Sequence, residues 1–162
     1  MWVKKSAKPR DNFPKDKFQK LLDKVYRFLS LRPRSEKEIT DYLRKREAPP
    51  NFAQKIFKIL REQNLINDVT FANWWIEQRT NFRPKGKIAL KAELKQKGIN
   101  DKIIEEALSQ VDELKLAKKV ISKKIKIYGK LPPKEFQQKI STFLSYRGFS
   151  WPTTKKVLDS LP

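Results

Sequence analysis

The sequence predicts an all-α fold, an elongated tandem array of three three-helix repeats. An apolar motif with helical spacing occurs three times, at offsets of 51 and then 50 residues: Ile39-x-x-Tyr42-Leu43, Leu90-x-x-Glu93-Leu94 and Ile140-x-x-Phe143-Leu144. After a turn, each copy is followed by a second apolar stripe, within residues 56–60, 104–108 and 154–158. The chain has four glycines and no sustained alternation of apolar and polar residues, so no strand is expected. Repeats of this kind complete their cores on their neighbours, and such an array offers a long surface rather than a pocket.

The first repeat is predicted to span residues 15–64. Apolar residues at i, i+3, i+4 and i+7 spacing predict one amphipathic helix that ends at Pro33. Ser35 and Glu38 are spaced as a capping box, in which each side chain accepts a hydrogen bond from the other residue's amide. This box opens the second helix, at about residues 35–46. Prolines then break the chain, and a third helix closes the repeat.

The second repeat, residues 65–111, is predicted to follow the same plan. Asp68 is the expected N-cap of its first helix, because a short carboxylate can accept from the unpaired amides of a first turn. Gly98 is suited to the left-handed position that follows the second helix. Asn100 and Asp101 are then predicted to cap the third helix.

The third repeat, residues 112–162, begins with a helix that is predicted to stop near Gly129. Two prolines start its second helix, where the first amides have no intrahelical partner, and Gly148 ends that helix. Ser150 is the predicted cap of a short last helix. Ahead of the array, residues 1–14 are basic and marked by prolines, which predicts a flexible tail.

The composition is strongly basic. Lys and Arg number 38 against 18 Asp and Glu, which gives a formal net charge of +20. Small soluble domains usually carry a net charge of about 2 to 8 in magnitude. An excess of this size favours polyanions or acidic protein grooves as partners, and it attracts them from a distance.

The residues that the chain lacks exclude several classes of protein. It has no Cys and no His, so thiol nucleophiles, Cys/His zinc sites and His-based catalytic dyads are excluded. No apolar run approaches the roughly 20 residues that a membrane span requires. The basic N-terminus has no apolar stretch behind it, which argues against a signal peptide. We therefore expect a cytoplasmic monomer without membrane contact, cofactor or metal.

The sharpest local feature is a group of cations around the second helix of the second repeat. Lys87, Lys91 and Lys95 are spaced i, i+4 and i+8, so they form one row on a helix whose Leu90 and Leu94 face inward. Such a row is compatible with an anionic partner and also with a plain solvated face. Together with flanking cations and their counterparts in the first repeat, the candidate binding residues are Arg32, Arg34, Arg79, Arg83, Lys85, Lys87, Lys91 and Lys95.

Two adjacent tryptophans present a geometric problem. Neighbours on a helix lie about 100° apart, so Trp74 and Trp75 cannot both point fully inward. Trp75 has core spacing and is predicted to pack inside its repeat. Trp74 is predicted to face a neighbouring repeat, with an anchor for a partner as the alternative.

An enzymatic interpretation depends on carboxylates alone. Glu93-Leu94-Lys95 and Glu113-Leu114-Lys115 have the acid-x-lysine form that some metal-dependent nucleases use. Those nucleases place the motif on strands beside another Asp, whereas both copies here fall on predicted helices. The chain also lacks a Gly-rich phosphate loop and a metal-ligand cluster. The sequence therefore predicts a protein that is not an enzyme.

Two stretches of the second repeat resemble the RecX family of bacterial regulatory proteins. They are residues 65–79, LINDVTFANWWIEQR, and residues 85–99, KGKIALKAELKQKGI. Tyr128-Gly129, Phe143-Leu144 and Arg147-Gly148-Phe149-Ser150 are similar to the last repeat of that family. The chain departs from the family at Lys87, where many relatives have proline, and in a longer turn at residues 48–50.

The resemblance implies a curved array that lies in the groove of the filament formed by RecA on single-stranded DNA. There it would bind RecA and inhibit its ATPase, strand exchange or filament growth, as a regulator of homologous recombination. The alternative is a direct DNA-binding protein whose repeats act as helix-turn-helix modules. Lysines dominate over base-reading Arg, Asn and Gln, which suits phosphate contact better than base readout.

Overall fold

The computed structural model describes residues 15–161. Within that range the chain forms nine helices and no strand, which confirms the all-α prediction: α1 Lys15–Ser30, α2 Glu36–Arg44, α3 Pro50–Glu62, α4 Asp68–Phe82, α5 Lys87–Gln96, α6 Asp101–Ser109, α7 Glu113–Tyr128, α8 Pro133–Tyr146 and α9 Trp151–Asp159. No helix in this range is both long enough and apolar enough to cross a bilayer. The predicted tail at residues 1–14 lies outside the described residues.

Several helix ends form where the sequence predicts them. Ser35 Oγ accepts from the Glu38 amide at 3.2 Å and Glu38 Oε2 accepts from the Ser35 amide at 3.4 Å, so the capping box is complete. Asn100 caps α6 through the Lys102 amide at 2.8 Å. Gly98 and Gly148 have φ of +78° and +77°, the left-handed conformation that glycine adopts without strain.

One predicted cap is wrong, and a second has the predicted position without a capping hydrogen bond. Asn67, not Asp68, caps α4, accepting from the Val69 and Thr70 amides at 2.9 and 3.1 Å. Ser150 occupies the N-cap position of α9, but its hydroxyl donates to Glu113 Oε2 at 2.7 Å and makes no capping bond. In both cases the side chain bonds instead to the first residue of a different helix: Asp68 accepts from the Glu36 amide of α2, and Ser150 donates to Glu113 of α7. The sequence around Asp68 or Ser150 does not indicate these distant partners.

Each repeat has its own hydrophobic core. The cores contain Leu22, Val25, Ile39, Leu43, Ile56, Leu60 and Ile66; then Phe71, Ala72, Ile76, Leu90, Leu94, Ile99, Ile104, Ala107 and Leu108; and lastly Leu116, Ala117, Ile121, Ile140, Leu144, Phe149 and Val157. Val111 is half-buried and packs against both the second and the third core. The three motifs that repeat in the sequence thus supply buried residues to three separate cores.

The middle helices of the repeats meet end to end. The last turn of α5 lies on the start of α2, where Ser35 Oγ donates to the Lys97 carbonyl at 2.8 Å. The last turn of α8 lies on the start of α5, where the Gly86 amide donates to the Arg147 carbonyl at 3.0 Å and the Ile88 amide to the Gly148 carbonyl at 3.1 Å. Carbonyl ends therefore face amide ends at both junctions, an arrangement that the helix dipoles favour.

A carboxylate bridges each junction at the equivalent place. Asp68, the first residue of α4, accepts from the Glu36 amide at 2.9 Å. Glu113, the first residue of α7, accepts from the Lys87 amide at 2.8 Å. Each carboxylate thereby bonds the first amide of the middle helix in the preceding repeat, and the array propagates through the same contact twice.

The two tryptophans divide as predicted. Trp75 stacks on Phe71 with ring centroids 5.8 Å apart and donates from Nε1 to Glu93 Oε2 at 2.8 Å, inside the second repeat. Trp74 also packs against the second core, with its ring centroid 5.9 Å from that of Phe71, and the Arg32 guanidinium of the first repeat lies 5.7 Å from the Trp74 centroid, so Trp74 additionally contacts the neighbouring repeat.

Candidate interaction surface

The lysine row on α5 lies beside acidic residues of α6. Lys95 Nζ is 3.0 Å from Asp101 Oδ1, and Lys91 Nζ is 3.9 Å from Glu105 Oε1. Both lysines remain partly exposed, so these ion pairs stabilise the fold little. They nevertheless offset two of the three charges, and the row is less cationic than its spacing suggests.

The Glu93 carboxylate forms a hydrogen-bonded cluster that includes two of the predicted binding residues, Arg79 and Lys85. It accepts from Arg79 Nε at 2.8 Å, from Trp75 Nε1 and from Lys85 Nζ, and the Glu93 side chain is 16% exposed. Burial opposes ionisation, but the hydrogen bonds from Lys85, Trp75 and Arg79 outweigh it and lower the pKa of Glu93. Arg79 and Lys85 therefore join α4, the following connection and α5.

Glu38 forms the corresponding cluster at the first junction. It accepts from Arg32 Nη2 at 2.8 Å and from Lys97 Nζ at 2.7 Å, so it links the first repeat to the second. Burial of Glu38 raises its pKa, but the hydrogen bonds from Arg32 and Lys97 outweigh this and bring the pKa to about 2. Arg34 instead stacks on the Phe28 ring at 3.7 Å and donates to the Phe28 carbonyl at 3.2 Å.

Replacing Glu38 with Gln is expected to lower the free energy of unfolding by about 2 kcal/mol at pH 7, because two cations lose a partly buried charged partner. The folded pKa lies below the ordinary value of 4.5, so this stability is present above pH 4.5 and is lost as the pH falls toward 2. Urea unfolding of both proteins between pH 7 and 3 should show the difference shrinking. The exposed Glu77→Gln is the control, and an equal difference at all pH values would contradict the assignment.

The structure does not gather all eight predicted residues into one surface. Five of them pair with carboxylates: Arg32, Arg79, Lys85, Lys91 and Lys95. Within residues 15–161, Arg34, Arg83 and Lys87 have no ion pair. The binding role of the eight residues stays a prediction. These three are the members whose charge no described carboxylate offsets.

A second group of cations, not singled out from the sequence, lies on α7 and the turn that follows it. Between Glu113 and Glu135 the chain has eight lysines and no Asp or Glu: Lys115, Lys118, Lys119, Lys123, Lys124, Lys126, Lys130 and Lys134. None of the eight has an ion pair with a described residue. The charged residues of the equivalent helix α4 are only Asp68, Glu77 and Arg79. The run without carboxylates is the signal that could have found this group.

The C-terminal end of α7 borders an aromatic groove. The groove has a volume of about 620 Å³ and is lined by Tyr128, Glu135, Gln138, Lys139, Thr142, Phe143 and Tyr146. Lys124 Nζ lies 5.6 Å from the Tyr128 ring centroid and 5.2 Å from that of Phe143. The Tyr146 side chain projects into solvent, since the residue is 90% exposed. Aromatic rings and cations thus lie next to each other in the third repeat.

The carboxylates of the two acid-x-lysine motifs have structural partners. Glu93 bonds three donors within its repeat, and Glu113 joins the second repeat to the third. Lys95 of the first motif pairs with Asp101 rather than with Glu93. Residues 15–161 contain no group of three or more acidic side chains arranged to hold a metal ion. The geometry therefore gives these carboxylates a role in joining helices.

Three family models match successive parts of the chain. They describe the first, second and third three-helix domains of RecX, and they match residues 22–57, 67–108 and 111–158. The first two matches lie within one repeat each, and the third begins at Val111, the residue that packs against both the second and the third core. The order and number of the domains agree with the three cores.

Curated relatives carry the name Regulatory protein RecX. The protein from Streptococcus uberis is 38% identical over 135 residues, which cover 83% of this chain and 52% of that protein. The protein from Bacillus pumilus is 39% identical over 145 residues, covering 88% of this chain and 54% of that protein. The chain spans about half the length of the curated relatives it matches.

Solved structures agree with this assignment. The crystal structure of RecX from Lactobacillus salivarius has a TM-score of 0.80 and 28% identity, covering 90% of this chain and 97% of that one. A crystal structure of regulatory protein RecX has a TM-score of 0.76 and 30% identity, covering 90% of this chain and 73% of that one. By its three domains, its relatives and its fold, the chain belongs to the RecX family of regulatory proteins.

Proposed function

We propose that this protein binds RecA and its filament on single-stranded DNA and inhibits the recombinase. The observation that carries the proposal is the match of all three RecX domains, in order, to one array of repeats. The net charge of +20 supports it, because a nucleoprotein filament is a polyanion that attracts such a chain. The family name supports regulation, and the RecA filament as the target is our proposal.

The array has dimensions that suit a filament. The middle helices contain 9, 10 and 14 residues, which correspond to about 50 Å of helix at about 1.5 Å per residue. Because these helices meet end to end and are bridged by Asp68 and Glu113, the array can act as one elongated body. A body of this length can contact more than one subunit of a helical polymer, and it would then oppose changes in their spacing.

Inhibition of this kind requires binding and no chemistry by the inhibitor. A recombinase that hydrolyses ATP must change the contacts between neighbouring subunits, and a rigid ligand that spans them favours one arrangement. We therefore propose that the protein acts in proportion to the filament sites it occupies. Localisation with RecA in the cytoplasm follows from this proposal.

Titration of the protein into RecA on single-stranded DNA is expected to lower ATP hydrolysis and strand exchange. Reversing the two cations of the α5 region that have no ion pair with a described residue, Arg83→Glu with Lys87→Glu, should raise the concentration needed by about tenfold, because the introduced carboxylates repel the anionic filament. Lys17→Glu with Lys24→Glu is the matched control, since both lysines are exposed on α1. Absence of inhibition by the unmodified protein would contradict the proposed function, whereas equal loss in both variants would contradict only the α5 contact.

The alternative, helix-turn-helix readout of duplex DNA, is disfavoured by α6. That helix starts at Asp101 and also carries Glu105 and Glu106, and these carboxylates would repel the phosphates beside a major groove. Tight, sequence-selective binding of duplex DNA in the absence of RecA would favour the alternative over our proposal.

A further inference from the structure

Each repeat exposes one large apolar side chain near the end of its first helix. The three are Leu31, Phe82 and Ile127, which are 78%, 77% and 63% exposed. Phe82 is the last residue of α4, Ile127 is the last but one of α7, and Leu31 directly follows α1. Single exposed apolar residues are common on protein surfaces, so the positions of these three within their repeats decide whether they share a role.

The three residues occupy the same structural position. In every repeat, one residue of the first helix contacts the fourth residue of the motif that recurs in the sequence. The contacts join Phe28 to Tyr42 with ring centroids 4.2 Å apart, Arg79 Nε to Glu93 Oε2 at 2.8 Å, and Lys124 Nζ to the Phe143 ring centroid at 5.2 Å. Leu31, Phe82 and Ile127 each follow that first-helix residue by three positions, so they are equivalent in the three repeats.

Within residues 15–161, no other position exposes a large apolar side chain in all three repeats. Tyr146 is 90% exposed, for example, but its equivalents in the other repeats are Gln96 and Lys45. An exposed apolar side chain that occurs once needs no explanation. One that recurs in every repeat indicates a contact that every repeat makes.

The stacking of the repeats sets the distance between these residues along the array. Leu31 is four residues before Ser35 and Phe82 is four residues before Gly86, the N-cap residues of α2 and α5. Because α5 connects the two junctions, these N-caps are about one α5 length apart, or about 15 Å for its 10 residues. The same carboxylate bridge joins both pairs of repeats, so Ile127 continues the series into the third repeat.

The residues beside each apolar side chain indicate the chemistry of the partner. Within three residues of each lies a cation that has no ion pair with a described residue: Arg34 for Leu31, Arg83 for Phe82, and Lys126 and Lys130 for Ile127. An apolar pocket with carboxylates at its edge would complement each copy. Two of the three side chains are aliphatic, whereas nucleic-acid bases stack on aromatic rings, so the pattern favours a protein partner.

We propose that Leu31, Phe82 and Ile127 are three copies of one protein contact, and that each inserts into the same apolar pocket on successive subunits of a protein polymer. This inference rests on the proposed function, in which the RecA filament supplies identical subunits in a row. A homopolymer presents the same pocket at every subunit by its symmetry. Binding of one copy raises the effective concentration of the other two, so three weak contacts give a tight complex.

The contact is tested by co-sedimentation of the protein with RecA filaments assembled on single-stranded DNA. Leu31→Gln, Phe82→Gln and Ile127→Gln are each expected to weaken binding by about fivefold, because each removes an equivalent apolar contact. The triple variant should bind about a hundredfold more weakly, since substitutions in separate repeats act independently. All three side chains are exposed, so circular dichroism should show unchanged helix content.

The matched control removes three large apolar side chains that do not recur. Ile88→Gln, Tyr146→Gln and Trp151→Gln change residues that are 61%, 90% and 64% exposed, and this triple variant should bind filaments within about twofold of the unmodified protein. A second control uses a 20-nucleotide oligo-dT in the absence of RecA. The triple variant of Leu31, Phe82 and Ile127 should bind this oligonucleotide as the unmodified protein does, because it loses no charge.

Several outcomes would overturn the repeated contact. Equal loss in the two triple variants would mean that exposed apolar surface acts without regard to position, and loss in only one single variant would mean that the contact is not repeated. Weaker binding of oligo-dT by the triple variant would mean that these side chains contact nucleic acid.

Sedimentation velocity separates a second copy of the chain from a polymer subunit as the occupant. An unmodified protein that dimerises, with a monomeric triple variant, would mean that these residues join two copies. Normal filament binding by the triple variant would refute this contact and leave the proposed function standing. Failure of the unmodified protein to bind filaments would refute the proposed function and this contact with it.

Discussion

The substitution Gly86→Ala is expected to lower the free energy of unfolding by about 3 kcal/mol and to separate the third repeat from the second. Gly86 has φ −73°, which any residue adopts, so the effect comes from packing alone. A Cβ atom at this position would overlap the Gly148 carbonyl oxygen and the backbone of Phe149. The backbones can move apart only by breaking the bonds from Gly86 to Arg147 and from Ile88 to Gly148, at 3.0 and 3.1 Å.

The equivalent position of the first repeat provides the control. Ser35 lies 51 residues before Gly86, and its hydroxyl makes the bond to Lys97 that the Gly86 amide makes to Arg147. The first junction already accommodates a side chain, so Ser35→Ala should cost only about 1 kcal/mol, the usual loss for an N-cap. Urea unfolding measures both changes. Hydrogen exchange at the Ile88 amide should become faster in Gly86→Ala, and unchanged protection there would contradict the close contact.

Features that depend on a few neighbouring residues could be predicted from the sequence. The Ser35–Glu38 capping box and the left-handed Gly98 and Gly148 are set by local backbone requirements, and the structure has all of them. The three cores follow from helical spacing, which fixes the inward face of each helix whatever its partner. The fold class therefore needed no knowledge of long-range contacts.

Features that join distant segments could not be predicted in the same way. Asp68 bonds an amide 32 residues away and Glu113 one 26 residues away, and nothing in the spacing of either residue indicates that partner. The row of Lys87, Lys91 and Lys95 was predicted from helical geometry, which gives spacing but not the surface that the row faces.

The candidate interaction surface was likewise predictable from the sequence only in its local features. Because α5 packs against α6, Lys95 lies beside Asp101, and the Asp101 carboxylate offsets part of the charge of the predicted row. The lysine run on α7 was visible in the sequence, since residues 114–134 contain no Asp or Glu. What the sequence could not indicate is that these lysines have no ion pair within residues 15–161 and that Lys124 adjoins an aromatic groove. Whether the charge of a lysine row is offset therefore depends on the residues that pack beside it, and the spacing in the sequence does not indicate those residues.

Replacing Glu113 with Ala is expected to lower the free energy of unfolding by about 3 kcal/mol at neutral pH. Glu113 Oε1 accepts from the Lys87 amide at 2.8 Å and the Ser150 amide at 3.3 Å, and Oε2 accepts from the Ser150 and Thr153 hydroxyls at 2.7 and 2.6 Å. Without the carboxylate, donors from both the second and the third repeat lose their partner inside a largely buried junction. The exposed Glu106→Ala is the control and should change stability by about 0.5 kcal/mol or less.

The effect of Glu113→Ala should also depend on pH in a defined direction. Burial of Glu113 opposes ionisation, but the hydrogen bonds from Thr153, Ser150 and Lys87 outweigh it and lower the pKa of the carboxyl below its ordinary 4.5. A lowered folded pKa means that the stabilisation is complete above pH 4.5 and is lost as the pH falls through the folded value. Urea unfolding should therefore show a difference between the two proteins that is largest near pH 7 and smaller near pH 3. A difference that grew on acidification would mean that Glu113 is protonated in the folded protein. The junction between α8 and α5 would then have to be held by the backbone hydrogen bonds of Gly86 and Ile88 alone.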